Sequence, residues 1–203
     1  MILNRIVGRC LVAAIASSII ACGTSAPSKF YNLSSTASVN GQAPLSTSVM
    51  VGPVTIPASV DQPEMVVQVA DNQVVVDEFN RWDSPLNDSI ARVVANDLAI
   101  QLGTAQVATA SLANFNPAYR VTIDVQRFQS LQGQAAVLDA VWAVRKTSTG
   151  EVRSGRTSAR EAVKGQNFDE LAAAHSRALA TLSGDIATTI RAEEGTGSPN
   201  QSE

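Results

Sequence analysis

The chain has 203 residues, enough for one domain with a tail, and 45% of them are hydrophobic against 16% charged, an ordinary globular balance. Its formal charge is −3, and Arg5 and Arg9 precede the first acidic residue, so the chain beyond Ala21 is more acidic still. An acidic surface with only 4% aromatics offers neither a footprint for a phosphate backbone nor much to stack on bases, which argues against nucleic acid as a partner.

The first element in chain order is an export signal over residues 1–21. Arg5 and Arg9 lead into the apolar stretch from Leu11 to Ala21, which falls short of the roughly 20 apolar residues a membrane span requires. Secretory cleavage at an Ala-x-Ala site needs small residues at both −1 and −3. Here Ile19, Ile20 and Ala21 precede Cys22 instead, a pattern resembling a bacterial lipobox, in which the thiol is acylated before cleavage. Cys10 falls inside the signal, so Cys22 is the single cysteine of the processed chain and has no disulfide partner. Several acyl chains on one residue give stable anchoring that one chain does not. The alternative is a plain signal peptide with an incidental cysteine. Gly23 stands where aspartate would retain an enterobacterial lipoprotein at the inner membrane, so the expected location is the periplasmic face of the outer membrane.

Residues 22–29 then form a lipidated tether, and residues 30–192 a single domain. FYNLS (30–34) has strand character, and a loop rich in Ser, Gly and Pro follows. VMVGPVTIP (49–57) reads as a strand whose Gly-Pro step suits an edge or a bulge. EMVVQVA and QVVVDEF flank Asp71-Asn72, a hairpin turn. Ser84 as N-cap, Pro85 at the first helical position, apolar residues from Leu86 to Leu102 at helical spacing and Gly103 as terminator predict a helix. A short strand near 105–108 precedes AYRVTIDVQRF (118–128), whose strict alternation puts Tyr119, Val121, Ile123 and Val125 on one face. QAAVLDAVWAVRK (134–146) and the more polar EVRSGRTSAREAV complete a hairpin. The last helix is capped by Asn167 and carries the stripe Leu171, His175, Leu179, Leu182, Ile186 and Ile190. Residues 193–203 lack apolar content and read as a disordered tail. Strand runs with two main helices predict an α+β two-layer sandwich with a mostly antiparallel sheet.

Catalytic chemistry finds little support. The single histidine, His175, sits on an apolar stripe and reads as structural; no Gly-x-Ser-x-Gly elbow occurs; one His and one acylated Cys make no zinc site. GEVRSGRT (150–157) mimics a phosphate loop but has Arg156 where the lysine belongs, and it lies in a hairpin. No metal and no cofactor other than the covalent lipid on Cys22 is expected.

The distinctive stretch is 51–102: Gly52-Pro53 with Ile56-Pro57, then Asp61-x-Pro63, then Glu78-Phe79-x-Arg81-Trp82-x-x-Pro85-Leu86 running into IARVVANDLA. Behind a lipobox and an opening FYNLSS, this order resembles the PqiC (YmbA-like) family of ABC-type transport auxiliary lipoproteins. The resemblance implies a non-catalytic envelope subunit working beside an MCE-domain tunnel protein and inner-membrane ABC-type or permease components. It implies a homo-oligomeric ring at the outer-membrane end, moving phospholipid or other hydrophobic cargo and supporting membrane integrity. A stand-alone envelope hydrolase or stress-sensing lipoprotein is the alternative. Phe79, Arg81, Trp82 and Pro85 form a motif that reads as a staple closing the helix onto the sheet or as a partner-docking patch, with Arg81 pairing with Asp61 or Asp83 or presenting its charge.

Overall fold

Residues 26–39, 41–111 and 113–196 are described by a computed structural model. The signal, Cys22 and residues 197–203 lie outside the described residues. Among the described residues, eight strands and two helices follow the order β1 (Lys29–Tyr31), β2 (Val49–Thr55), β3 (Glu64–Ala70), β4 (Gln73–Trp82), α1 (Leu86–Leu102), β5 (Val107–Ala108), β6 (Tyr119–Leu131), β7 (Ala135–Lys146), β8 (Val152–Ala162) and α2 (Phe168–Thr196). The expected α+β class with two helices on one sheet holds.

The sheet is mixed, which corrects the expectation of mostly antiparallel pairing. The sequential hairpins β3–β4, β6–β7 and β7–β8 are antiparallel. The remaining pairings, β1–β4, β2–β5, β2–β6 and β3–β6, are all parallel. They join segments distant in sequence, and alternation within a strand says nothing about such partners. β2 and β3 lie end to end along the same edge of β6: Val49–Thr55 face Tyr119–Asp124, and Val67–Gln68 face Ser130–Leu131. The register of β2 slips between Val51 and Val54, at Gly52-Pro53, as a bulge should.

Both helices cover one face. The α1 stripe of Leu86, Ile90, Val93, Val94, Leu98 and Leu102 is buried, and Gly103 ends the helix in the left-handed region at φ 68°. Pro85, not Ser84, occupies the cap position of α1; the Ser84 hydroxyl instead meets Asp83, Ser89 and Arg92. Asn167 does cap α2, its Oδ1 accepting from the Glu170 amide at 2.8 Å. The α2 stripe is likewise buried throughout. This helix runs to Thr196, past the boundary drawn at residue 192, because Glu193 is buried against the sheet and accepts from Arg153 at 2.7 Å. Asp97, buried on α1, accepts from the Ser35 hydroxyl, the Ala37 amide and the Ser183 hydroxyl, so one carboxylate ties the first loop and α2 to α1. Burial raises its pKa against the pull of those donors. Gly155 lies in β8 beneath the indole of Trp142, with room for no Cβ, so the phosphate-loop mimic is a packing site in a strand.

Candidate functional site

Arg81, Trp82 and Pro85 of the motif converge at the C-terminal end of β4. The Trp82 amide donates to the Pro63 carbonyl at 2.7 Å, and the Asp83 amide to the Tyr31 carbonyl at 2.9 Å, so the segment before β3 and the end of β1 clasp the exit of β4. The chain then turns through Ser84-Pro85 into α1. Around this exit opens a cleft of about 400 Å³, lined by Phe30, Asp61, Gln62, Pro63 and the run from Arg81 to Leu86. Thus Asp61-x-Pro63 and Arg81-Trp82-x-x-Pro85-Leu86, apart in sequence, share one wall.

Trp82 and Phe79 take different roles. Trp82 is buried, its ring edge-on to both Phe128 and His175 at centroid distances of 6.1 Å. Phe128 and His175 stack at 3.9 Å. Trp82 therefore packs in the core against β6 and α2. Phe79 is 41% exposed. The cause is a bulge: Glu64 pairs with Arg81 while its neighbour Met65 pairs with Asp77, leaving Glu78, Phe79 and Asn80 without partners on β3. The Asp77 carboxylate holds this bulge by accepting from the amides of Phe79 at 3.0 Å and Asn80 at 2.9 Å. An odd insertion flips the face to which alternate side chains point, so Trp82 reaches the core and Phe79 does not.

Arg81 pairs with Glu64 at 2.8 Å, not with Asp61 or Asp83. The slipped register sets the two opposite each other across the β3–β4 ladder. Its Nε has no hydrogen-bond partner among the described residues. Pro85 is exposed on the rim. Phe30, 65% exposed, stands beside Arg81 through the β1–β4 pairing and supplies the main apolar wall of the cleft. Sequence reasoning missed it as a site residue; the signal available was an aromatic pair in a short strand, of which Tyr31 turns inward to stack near Phe168 and Phe30 stays out.

His175 is fully buried. Its Nε2 lies 2.9 Å from the Ser130 hydroxyl, and desolvation pushes its pKa down to about 3. The ring is a neutral member of the aromatic cluster behind the cleft, out of reach of a solvent-borne substrate. Among the described residues no group of three or more His, Cys, Asp or Glu is arranged to hold a metal ion. No described helix is long and apolar enough to cross a membrane.

The model of the family described as ABC-type transport auxiliary lipoprotein component matches residues 31–187. No curated protein matches the chain. Among solved structures, protein XCC0632 from Xanthomonas campestris superposes with a TM-score of 0.68 at 20% identity, covering 84% of this chain and all of that one. A second structure, described as an uncharacterized protein, gives 0.68 at 21% identity over 81% of this chain and 99% of that one. At such identities these two share the fold.

Proposed function

Because this chain belongs to the ABC-type transport auxiliary lipoprotein component family, we propose that it is the lipid-anchored, non-catalytic subunit of an MCE-type intermembrane lipid transport system. In this reading acyl chains on Cys22 hold it at the periplasmic face of the outer membrane. The folded domain docks an MCE-domain tunnel protein as a ring of identical copies, with ABC-type or permease components at the inner membrane. Cargo is phospholipid or another hydrophobic molecule, and the outcome is support of outer-membrane integrity.

The observation that carries the proposal is the convergence of the motif on one cleft. Asp61, Pro63, Arg81, Trp82, Pro85 and Leu86 surround a concave surface with an exposed aromatic wall at Phe30 and a charged rim in the half-buried Arg81–Glu64 pair. Exposed apolar surface beside a charge rim is what a protein partner recognises. The buried, neutral His175 supports a binding role over a hydrolytic one.

Affinity purification from membranes in mild detergent tests the reading. The expected result is co-purification of an MCE-domain protein with the wild-type chain and its loss with Phe30→Asp. Purification of the chain alone, with a hydrolytic activity that survives Phe30→Asp, would overturn it in favour of a stand-alone envelope enzyme.

A further inference from the structure

We propose that the β3–β4 hairpin is a second membrane contact, laying Val69 and Val74–Val76 on the lipid surface entered by the acyl chains of Cys22; the inference rests on the reading of Cys22 as the anchor. The hairpin is apolar where nothing covers it. Val69 is 51% exposed, Val74 59%, and Val75 and Val76 47% each. They occupy both faces: Val75 sits opposite the core residue Val67, whereas Val74 and Val76 sit opposite Gln68 and Val66 on the other face. A strand that only covers a core would alternate; this one projects beyond it.

The direction of the tether selects the occupant. β1 runs parallel to β4, with Lys29 beside Asn80, so the first residue of β1 lies on the hairpin side of the cleft. From Lys29 back to Cys22 an extended chain reaches about 24 Å. From Glu64 to the last residue of β3, Ala70, the hairpin extends about 20 Å beyond that level. A bilayer holding the acyl chains is therefore brought to the hairpin tip by a tether only slightly longer than the hairpin itself. Chemistry agrees with a shallow position. Between Met65 and Val76 the one ionisable side chain is Asp71, at the turn, where a lipid ammonium headgroup can neutralise it. From Gln73 to Phe79 the outer edge of β4 has no strand beside it among the described residues, and such an edge belongs among hydrated headgroups, not in hydrocarbon.

The test places an environment-sensitive dye on Val75→Cys in the full, processed protein, whose acylated Cys22 leaves no other free thiol. The labelled protein is reconstituted into vesicles of phosphatidylethanolamine and phosphatidylglycerol, with a mass spectrum to confirm acylation. Thr149→Cys is the control, because the β7–β8 turn lies at the opposite end of the sheet, where Lys146 pairs with Tyr119. Blue-shifted emission and quenching by lipids spin-labelled near the headgroup are expected at Val75→Cys and absent at Thr149→Cys. Adding Val74→Ser and Val76→Ser should lower the quenching about threefold, separating the hairpin from the dye's own affinity for lipid. Unquenched dye on acylated protein overturns the proposal, as does quenching unchanged by the serine variants or a shift appearing only with a protein partner. A free thiol at Cys22 also overturns it, and the mass spectrum assigns that failure to the anchor.

Discussion

Both ends of β4 carry large apolar side chains, Trp82 at one and Val74, Val75 and Val76 at the other, and they behave differently. At the Arg81–Trp82 end the strand is flanked by β1 and β3, clasped by the Pro63 carbonyl and backed by the Phe128–His175 stack. At the Val74–Val76 end it has only β3 beside it among the described residues, and its valines are about half exposed or more. Between them sits the Asp77 bulge, which flips the inward face of the strand. Hydrophobicity therefore does not decide what a residue does here; the number of neighbours does. One end is framework for a cleft, and the other is surface.

The largest effect should follow from Trp82→Ala. Removing an indole from a closed aromatic cluster leaves a cavity, and a loss of about 3–5 kcal/mol in urea unfolding is expected. Next comes pH. The His175 pKa falls from 6.5 to about 3 on folding, so below 6.5 the unfolded chain binds a proton that the folded chain refuses. Its stabilisation is complete above pH 6.5 and is lost as pH falls, at up to about 1.4 kcal/mol per unit. His175→Gln should flatten that slope. Asp97 titrates with the opposite sign in both proteins, so its part cancels when the two unfolding curves are subtracted.

Asp77→Ala tests the divide itself. Two backbone amides and the Asn80 side chain lose their acceptor, and a cost of about 1–2 kcal/mol is expected, with amide exchange rising first at Phe79 and Asn80. The smallest effect belongs to Val75→Ser, within about 0.5 kcal/mol of wild type by the same urea titration, because about half of that residue is already exposed to solvent. A Val75→Ser variant as unstable as Trp82→Ala would erase the distinction between the two ends.

Local pattern carried much of this fold. The alternation from Tyr119 to Val125 marks the buried face of β6, and the stripes of both helices mark theirs without error. The hairpin around Asp71-Asn72 and the bulge at Gly52-Pro53 follow from turn and ring chemistry. What stayed hidden was non-local. The parallel pairings of β1 with β4 and of β2 and β3 with β6 depend on where distant segments meet. Which of Phe79 and Trp82 faces the core depends on three residues unpaired with β3 and held by Asp77, and the Arg81–Glu64 pair follows from the same slip. Of the motif, Arg81, Trp82 and Pro85 do meet at one cleft, whereas Phe79 looks elsewhere and Phe30 joins from a strand that spans only Lys29 to Tyr31.

Site-specific photocrosslinking in cells tests the central claim most directly, with a photoreactive residue placed at Phe30 or at Val75. The account predicts that the probe at Phe30 captures an MCE-domain protein, whereas the probe at Val75 yields lipid adducts and no such protein. Capture of the MCE-domain protein at Val75 with none at Phe30 would contradict it.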